Sequence, residues 1–307
     1  SKLTYEVWVS NVTDLAGNPL APKARTAKVK RSVYLALIWH QHQPFYVDVA
    51  KDELSGPWVR KHSTKDYYDM VSILEGYPDV HMTVNLTAVL LTQLLTYYVD
   101  RMGPYVDTAN NTVDEAGFLG QWRGHTDPWV DLLLDDTPDP EGILGPLPTD
   151  AQKELFYDAP WSCLSTGDAL MAFFPQYRVL RDKNPLTYNH ADLLLLKIMF
   201  EIAWFDPDFL NGPVAMPDGS VVNLSDVVSR DSMGRFTLAV PPSEELANRL
   251  VAENFKIMKN VVGIHQKLRF DPTTNAGQIE VTTTPFYHPI LPLLVNTELA
   301  RSGQPYD

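Results

Sequence analysis

The run "VYLALIW", residues 33–39, is continuously apolar without alternation, and helical patterning follows it. A strand of this kind is covered on both sides, as the strands of parallel sheets are. The next segment, "KDYYDMVSILEGYP", sets Tyr67, Met70, Val71 and Leu74 at helical spacing and stops at Pro78. "DVHMTVNL" then reads as a second strand and "TAVLLTQLLTYYVD" as a second helix. The order βαβα predicts an α/β fold, a parallel sheet or barrel with its helices outside.

The first 30 residues have a different texture. "TYEVWVSNVTDLAGNPLAP" alternates Tyr5, Val7 and Val9 on one face and turns at "DLAGNPL", as antiparallel strands do. It resembles the closing strands of bacterial immunoglobulin-like modules of secreted proteins. Residues 1–30 are therefore expected to be the end of a β-module plus a linker, and residues 31–307 the main domain.

Two stretches interrupt the main domain. Residues 101–160 cluster Gly, Pro and Asp, and a loop of such length is usually functional or an insertion. Trp122 and Trp129 lie in it and suggest a lid over a cleft. Residues 206–243 read as a small excursion of short strands or loops. Flanking it are two helical patterns: "HADLLLLKIMFEIAWF", with Asp192 near its start, and "SEELANRLVAENFKIMKNVVGIHQKL", which Ser243 can cap. The final strand signal is "QIEVTTT", with Gln278, Glu280, Thr282 and Thr284 on one face and Ile279 and Val281 on the other. A carboxylate in mid-strand must be paired or lie in a wet cleft, because an isolated buried charge costs on the order of several kcal/mol.

A net charge of −13 would repel a phosphate backbone, so nucleic acid is not an expected partner. The one cysteine, Cys163, cannot form an internal disulfide and does not decide the compartment. No apolar run reaches the roughly 18 residues of a membrane span, and the opening "SKLTYEV" carries no leader pattern. The aromatic content includes 7 Trp and 14 Tyr, several beside polar residues in "GPWVRKH", "GQWRGHTDPW", "YDAPW" and "IAWFDPDF". Core filling explains such residues; so does a cleft for a ring-shaped, hydroxyl-rich ligand.

In parallel α/β folds ligands bind at the carboxyl ends of strands. His40, Gln41, His42 and Gln43 follow "VYLALIW", Asn85 ends "HMTVN", and Thr284 to His288 follow "QIEVTT". Three strand ends thus deliver polar groups to one face. His40 and His42, two residues apart, point the same way if the strand persists. Two chemistries use such a pair: ligation of a divalent metal, and hydrogen bonding to sugar hydroxyls where a glycosidic bond is cleaved. The residues alone leave metal hydrolase and carbohydrate enzyme both open.

"HQHQPFYVD", "GPWVRKHSTKDYYDMVSILEGYPDVHMTVNL" with "LLTQL", "FEIAWFDPDF" and "GQIEVTTTPFYHPILPLL" together resemble glycoside hydrolase family 57, especially its amylopullulanase-like and α-amylase-like members. The four segments stand in the family's order across residues 33–295. The resemblance implies an incomplete (β/α)7 barrel, here its N-terminal part, with helical insertions. It also implies retaining hydrolysis or glucanotransfer on α-glucans of the starch, glycogen or pullulan type, with no metal or other cofactor in the reaction. Carried over, His42, Gln43 and Pro44 match the first motif, whose His contacts sugar, with Trp39 and His40 at its flank. Glu280 and His288 match the second motif at the donor subsite. Trp58, Arg60 and His62 match a segment beside that pocket, and Asn85 the polar end of the second strand. Arg60 has a scaffold ion pair as its alternative role.

Retaining hydrolysis needs two carboxyl groups about 5 Å apart. In the family these belong to a third and a fourth motif, and Asp48, Asp66 and Asp79 sit in loop or helix contexts here. The expectation is a chain that supplies substrate-binding walls. The nucleophilic Glu and acid/base Asp then lie beyond residue 307, in a continuation or companion chain, and the isolated fragment is inactive. The alternatives are a non-catalytic carbohydrate-binding or structural homologue and a metal-dependent hydrolase using His40 and His42. An extracellular or cell-surface place is expected from the acidic balance and the β-module; neither feature decides against the cytoplasm.

Overall fold

The computed structural model describes residues 4–9, 23–28, 35–135, 153–158 and 161–303. The chain divides into two compact units, Ser1–Leu37 and Ile38–Asp307. In the first, β1 (Thr4–Val9) and β2 (Lys23–Lys28) pair antiparallel, from Thr4 opposite Lys28 to Val9 opposite Lys23. The turn expected at "DLAGNPL" lies outside the described residues.

The second unit is built on three parallel strands: β3 (Ile38–Gln41), β4 (Met82–Leu86) and β5 (Ile279–Thr282), with β4 in the middle. The expected α/β order with a parallel sheet is found, and among the described residues that sheet is open. Register aligns Ile38, Thr83 and Glu280 in one row and His40, Asn85 and Thr282 in the next. Both rows project from the same face, because side chains alternate along a strand.

One face of this sheet is covered and the other is not. Val84 and Ile279 are fully buried against the helices, while Ile38 is 72% exposed and Glu280 and Thr282 are exposed. The first strand was expected to be covered on both sides and to end at Trp39. Instead it starts at Ile38, so His40 and Gln41 belong to the strand itself. Leu35, Leu37, Ile38 and Trp39 are all exposed, and among the described residues no strand pairs with the outer edge of β3.

Helices supply the core. α1 (Trp58–His62) runs into a wider π-helical turn at Ser63–Tyr67 and then a short helix, Asp69–Ser72. Ser63 and Thr64 explain the widening: their hydroxyls donate to Val59 O at 2.6 Å and Lys61 O at 3.0 Å, competing with the helical ladder. α2 (Ala88–Thr92) widens in the same way over Gln93–Val99. α3 (Pro128–Leu134), α4 (His190–Ile202) and α5 (Glu244–Leu268) complete the packing. α4 starts with a capping box between Asn189 and Asp192, and Ser243 caps α5 by accepting from Leu246 N at 3.1 Å. α5 buries residues around most of its girth, from Leu246 to Leu268, and acts as the central post. No described helix is long and apolar enough to cross a membrane.

The stretch read as a long loop from 101 is structured through Leu134, with a short hairpin of Val106–Asp107 with Thr112–Val113 and helices at Glu115–Trp122 and Pro128–Leu134. Asp114 caps Glu115–Trp122, and Asp127 caps α3 ahead of Pro128 at its first position. Of the same stretch, 136–152 and 159–160 lie outside the described residues. Of its tryptophans, Trp129 belongs to the core, 3% exposed with its indole N–H donated to Leu155 O, while Trp122 is half-buried beside the Arg101 guanidinium. The excursion at 206–243 holds two short hairpins, Val214–Ala215 with Val221–Val222 and Val228–Arg230 with Phe236–Leu238.

Candidate active site

Gly277 starts the strand that completes the site. Its φ of +95° suits glycine, and a Cβ there would stand 2.3 Å from Arg269 O, so the chain can turn tightly from α5 into β5. Past β5, His288 N donates to Pro285 O at 2.8 Å, closing a turn that shows Phe286 and Tyr287 outward. His288 takes a left-handed φ of +52°, rare for a residue with a Cβ.

That turn sets His288 against the first strand. Its ring centroid lies 4.5 Å from His40 and 5.0 Å from His42, and the latter two are stacked 5.7 Å apart. Burial, then His288 and His40, lower the pKa of His42, so its imidazole is neutral at neutral pH and can both donate and accept. Beside the cluster, Asn85 donates to Thr282 Oγ1 at 3.1 Å, and Thr83 donates to Glu280 at 3.4 Å. Asn85 Oδ1 and Thr284 Oγ1 are shielded from solvent without a partner among the described residues. Unmet buried polar atoms cost about 1–3 kcal/mol each, so this face holds hydrogen-bonding capacity that the protein leaves unused.

A second wall comes from α1. Trp58 and His62, four residues apart, share a helix face and meet Trp204, with ring centroids 5.5 and 5.3 Å away. Trp161 joins them 6.2 Å from Trp58 and 6.0 Å from Tyr46. His62 Nδ1 is bonded to Asp66, which fixes the ring. Between the two walls, Tyr67 donates to His42 O at 3.1 Å, and its ring lies 6.0 Å from His62.

Two expected sugar contacts are structural here. Gln43 is buried and spends its amide on neighbours: Nε2 donates to the Tyr67 hydroxyl at 2.7 Å and Oε1 accepts from the Tyr46 hydroxyl at 2.8 Å. Arg60 is 0% exposed; it donates to Asp127 at 2.9 Å, to Glu201, and to Asn254 at 2.8 Å. Its scaffold alternative holds, because a guanidinium so enclosed has no face for a ligand. Lys61 also donates to Glu201, at 2.5 Å, and burial pushes its pKa down to about 8. Burial alone would raise the Glu201 pKa, but Arg60 and Lys61 outweigh it and hold the carboxyl below its ordinary value. This buried network fixes the inner side of α1 and so aims Trp58 and His62 outward.

Of the expected residues, the structure brings His40, His42 and His288 together, with Asn85 in the His40 row and Glu280 one row away. Trp58 and His62 stand on the tryptophan wall. Sequence reasoning missed Tyr67, Gln93, Trp161 and Trp204. Gln93 pins the loop after the first motif, accepting from Tyr46 N at 2.7 Å and donating to Pro44 O at 2.9 Å. The signal for both tryptophans was present in their polar-flanked segments "YDAPW" and "IAWFDPDF".

Among the described residues, the three histidines do not bring one ligand atom each within 4.8 Å of one another; Asp69, Asp206 and Asp208 do. Exposed acidic groupings are common without an ion.

No curated protein and no solved structure matches the chain significantly. Comparison with protein families matches residues 36–304, which include both walls and all three sheet strands, to "Glycosyl hydrolase family 57". The chain belongs to glycosyl hydrolase family 57.

Proposed function

We propose that the face carrying the histidine cluster and the tryptophan wall binds an α-glucan, with one pyranose ring at His40, His42 and His288. Membership of the family assigns the chain to glycoside hydrolase or glucanotransferase chemistry on α-glucans in general. An amylopullulanase or α-amylase type of activity is the finer form of the proposal. The observation that carries it is the convergence of three imidazoles from β3 and the turn after β5, beside unpartnered polar atoms of Asn85 and Thr284. Imidazole and amide groups match sugar hydroxyls, which both donate and accept.

β3, β4 and β5 carry one carboxylate, Glu280, on the open face. Retaining hydrolysis needs two, about 5 Å apart. We assign Glu280 to substrate binding, and attack and proton donation to a Glu and an Asp on further strands that pair with the open edges of β3 and β5. Those edges lack strand partners among the described residues, and unpaired edges recruit strands.

Calorimetric titration with maltooligosaccharides and reducing-sugar release from starch test the two halves separately. The chain alone should bind without turnover, and His42→Ala should weaken binding roughly tenfold. Turnover by the chain alone would sink the assignment of the catalytic pair; undiminished binding by His42→Ala would sink the sugar site. A non-catalytic carbohydrate-binding homologue is the second reading, favoured by the single strand carboxylate. It requires that no complementing polypeptide restore turnover. We further read β1 and β2 as the end of an immunoglobulin-like module, and place the protein outside the cell or at its surface.

A further inference from the structure

We propose that Trp161 is the stacking platform for a second pyranose ring, next to the ring held at the histidine cluster; this rests on the α-glucan reading above. Trp161 is 39% exposed, yet its ring is held on three sides. It stands nearly perpendicular to Tyr46, at 88°, and to Trp58, at 80°. Its Cε3 and Cζ3 atoms reach so close to Gly56 that a Cβ there would lie 2.9 Å from each, and the same Cβ would be 3.3 Å from Trp58 Cδ1. Glycine at 56 thus lets two indoles settle on the backbone side by side.

A scattered exposed aromatic residue needs no explanation. Trp161 is different, because it extends a continuous wall through Trp58 to Trp204 and His62. It is also tied to the sugar face: Tyr46, against which it packs, donates to Gln43, and Gln43 bonds the Tyr67 that holds His42 O. A ring that is fixed by its neighbours and open on its face loses little entropy when a ligand covers it. The apolar C–H face of a pyranose is the surface that suits such an indole, and a glucan chain offers these faces in succession.

The full chain, titrated calorimetrically with glucose and with maltose through maltoheptaose, tests this. Trp161→Leu keeps apolar bulk without a ring, and Trp161→Tyr keeps a ring. For Trp161→Leu, glucose binding should match wild type while binding of maltose and longer oligomers weakens roughly tenfold; Trp161→Tyr should restore most of that loss. Equal weakening at every length, or no weakening at any, overturns the platform while leaving the histidine subsite standing. If the wild-type chain binds no maltooligosaccharide, the α-glucan reading falls and the platform with it.

Discussion

His288 rests 4.5 Å from His40, ring centroid to centroid, although one comes from the turn after the last strand of the sheet and the other from within the first. Both rings also crowd His42, whose pKa is lowered by burial first and then by His288 and His40. Replacing His288 with Gln removes one of these neighbours. The His42 pKa should then move up toward 6.5 and stop short of it, because burial and His40 persist. Histidine titration followed by NMR reads this directly, and an unchanged or lower value in His288→Gln would show that the rings do not interact in solution.

Glu201 accepts from both Arg60 and Lys61 in a site where all three side chains are almost fully buried. Glu201→Gln leaves two buried cations with weakened compensation. It should cost about 3 kcal/mol or more of stability, the scale for breaking a buried ion pair from one side. Urea unfolding measures it, and a loss below about 1 kcal/mol would mean that water reaches the network.

The Asp69 carboxyl is pushed up to about 7, by burial first and then by Asp206 and Asp208, from an ordinary value of 3.8. Between these values the folded state keeps a proton that the unfolded state has lost, so this group makes stability fall as pH rises through that window. Asp69→Asn should therefore match wild type near pH 4 and melt higher than wild type above pH 7. Thermal unfolding at both pH values checks it; a uniform shift would point to packing rather than titration.

Gly277→Ala should destabilise the unit that carries the site by about 1–3 kcal/mol, since the φ of +95° is strained for any residue with a Cβ and Arg269 O blocks the space. Gly76 offers a control, because a Cβ there meets nothing within 4 Å. Comparable urea midpoints for Gly277→Ala and Gly76→Ala would contradict the tight turn.

Periodicity located the helices at 88–99, 190–202 and 244–268, because their apolar faces and caps are local signals. It also placed Asn85 and Glu280 on strands, and register then put them on a common face. What it could not reveal was set by tertiary partners. Arg60 and Gln43 look like any polar residue beside a motif, and only Asp127, Glu201, Tyr46 and Tyr67, remote or hidden in sequence, absorb their hydrogen bonds. "VYLALIW" reads as a doubly covered strand because apolar content reports a demand for burial, which the described residues leave partly unmet. The helices at 115–122 and 128–134 hid behind Gly, Pro and Asp, which mark loops and helix starts alike.

The widened turn at Ser63–Tyr67 has a consequence for how this region can vary. Each residue of an α-helix advances the chain by about 100° around its axis. Deleting one residue here would restore ordinary winding, yet swing Tyr67 away from His42 O and Gln43 while leaving Trp58 and His62 in place. Substitutions along this segment are thus tolerable where shifts in its length are not: the phase between the indole wall and the phenol that joins it to the imidazoles is counted out in residues.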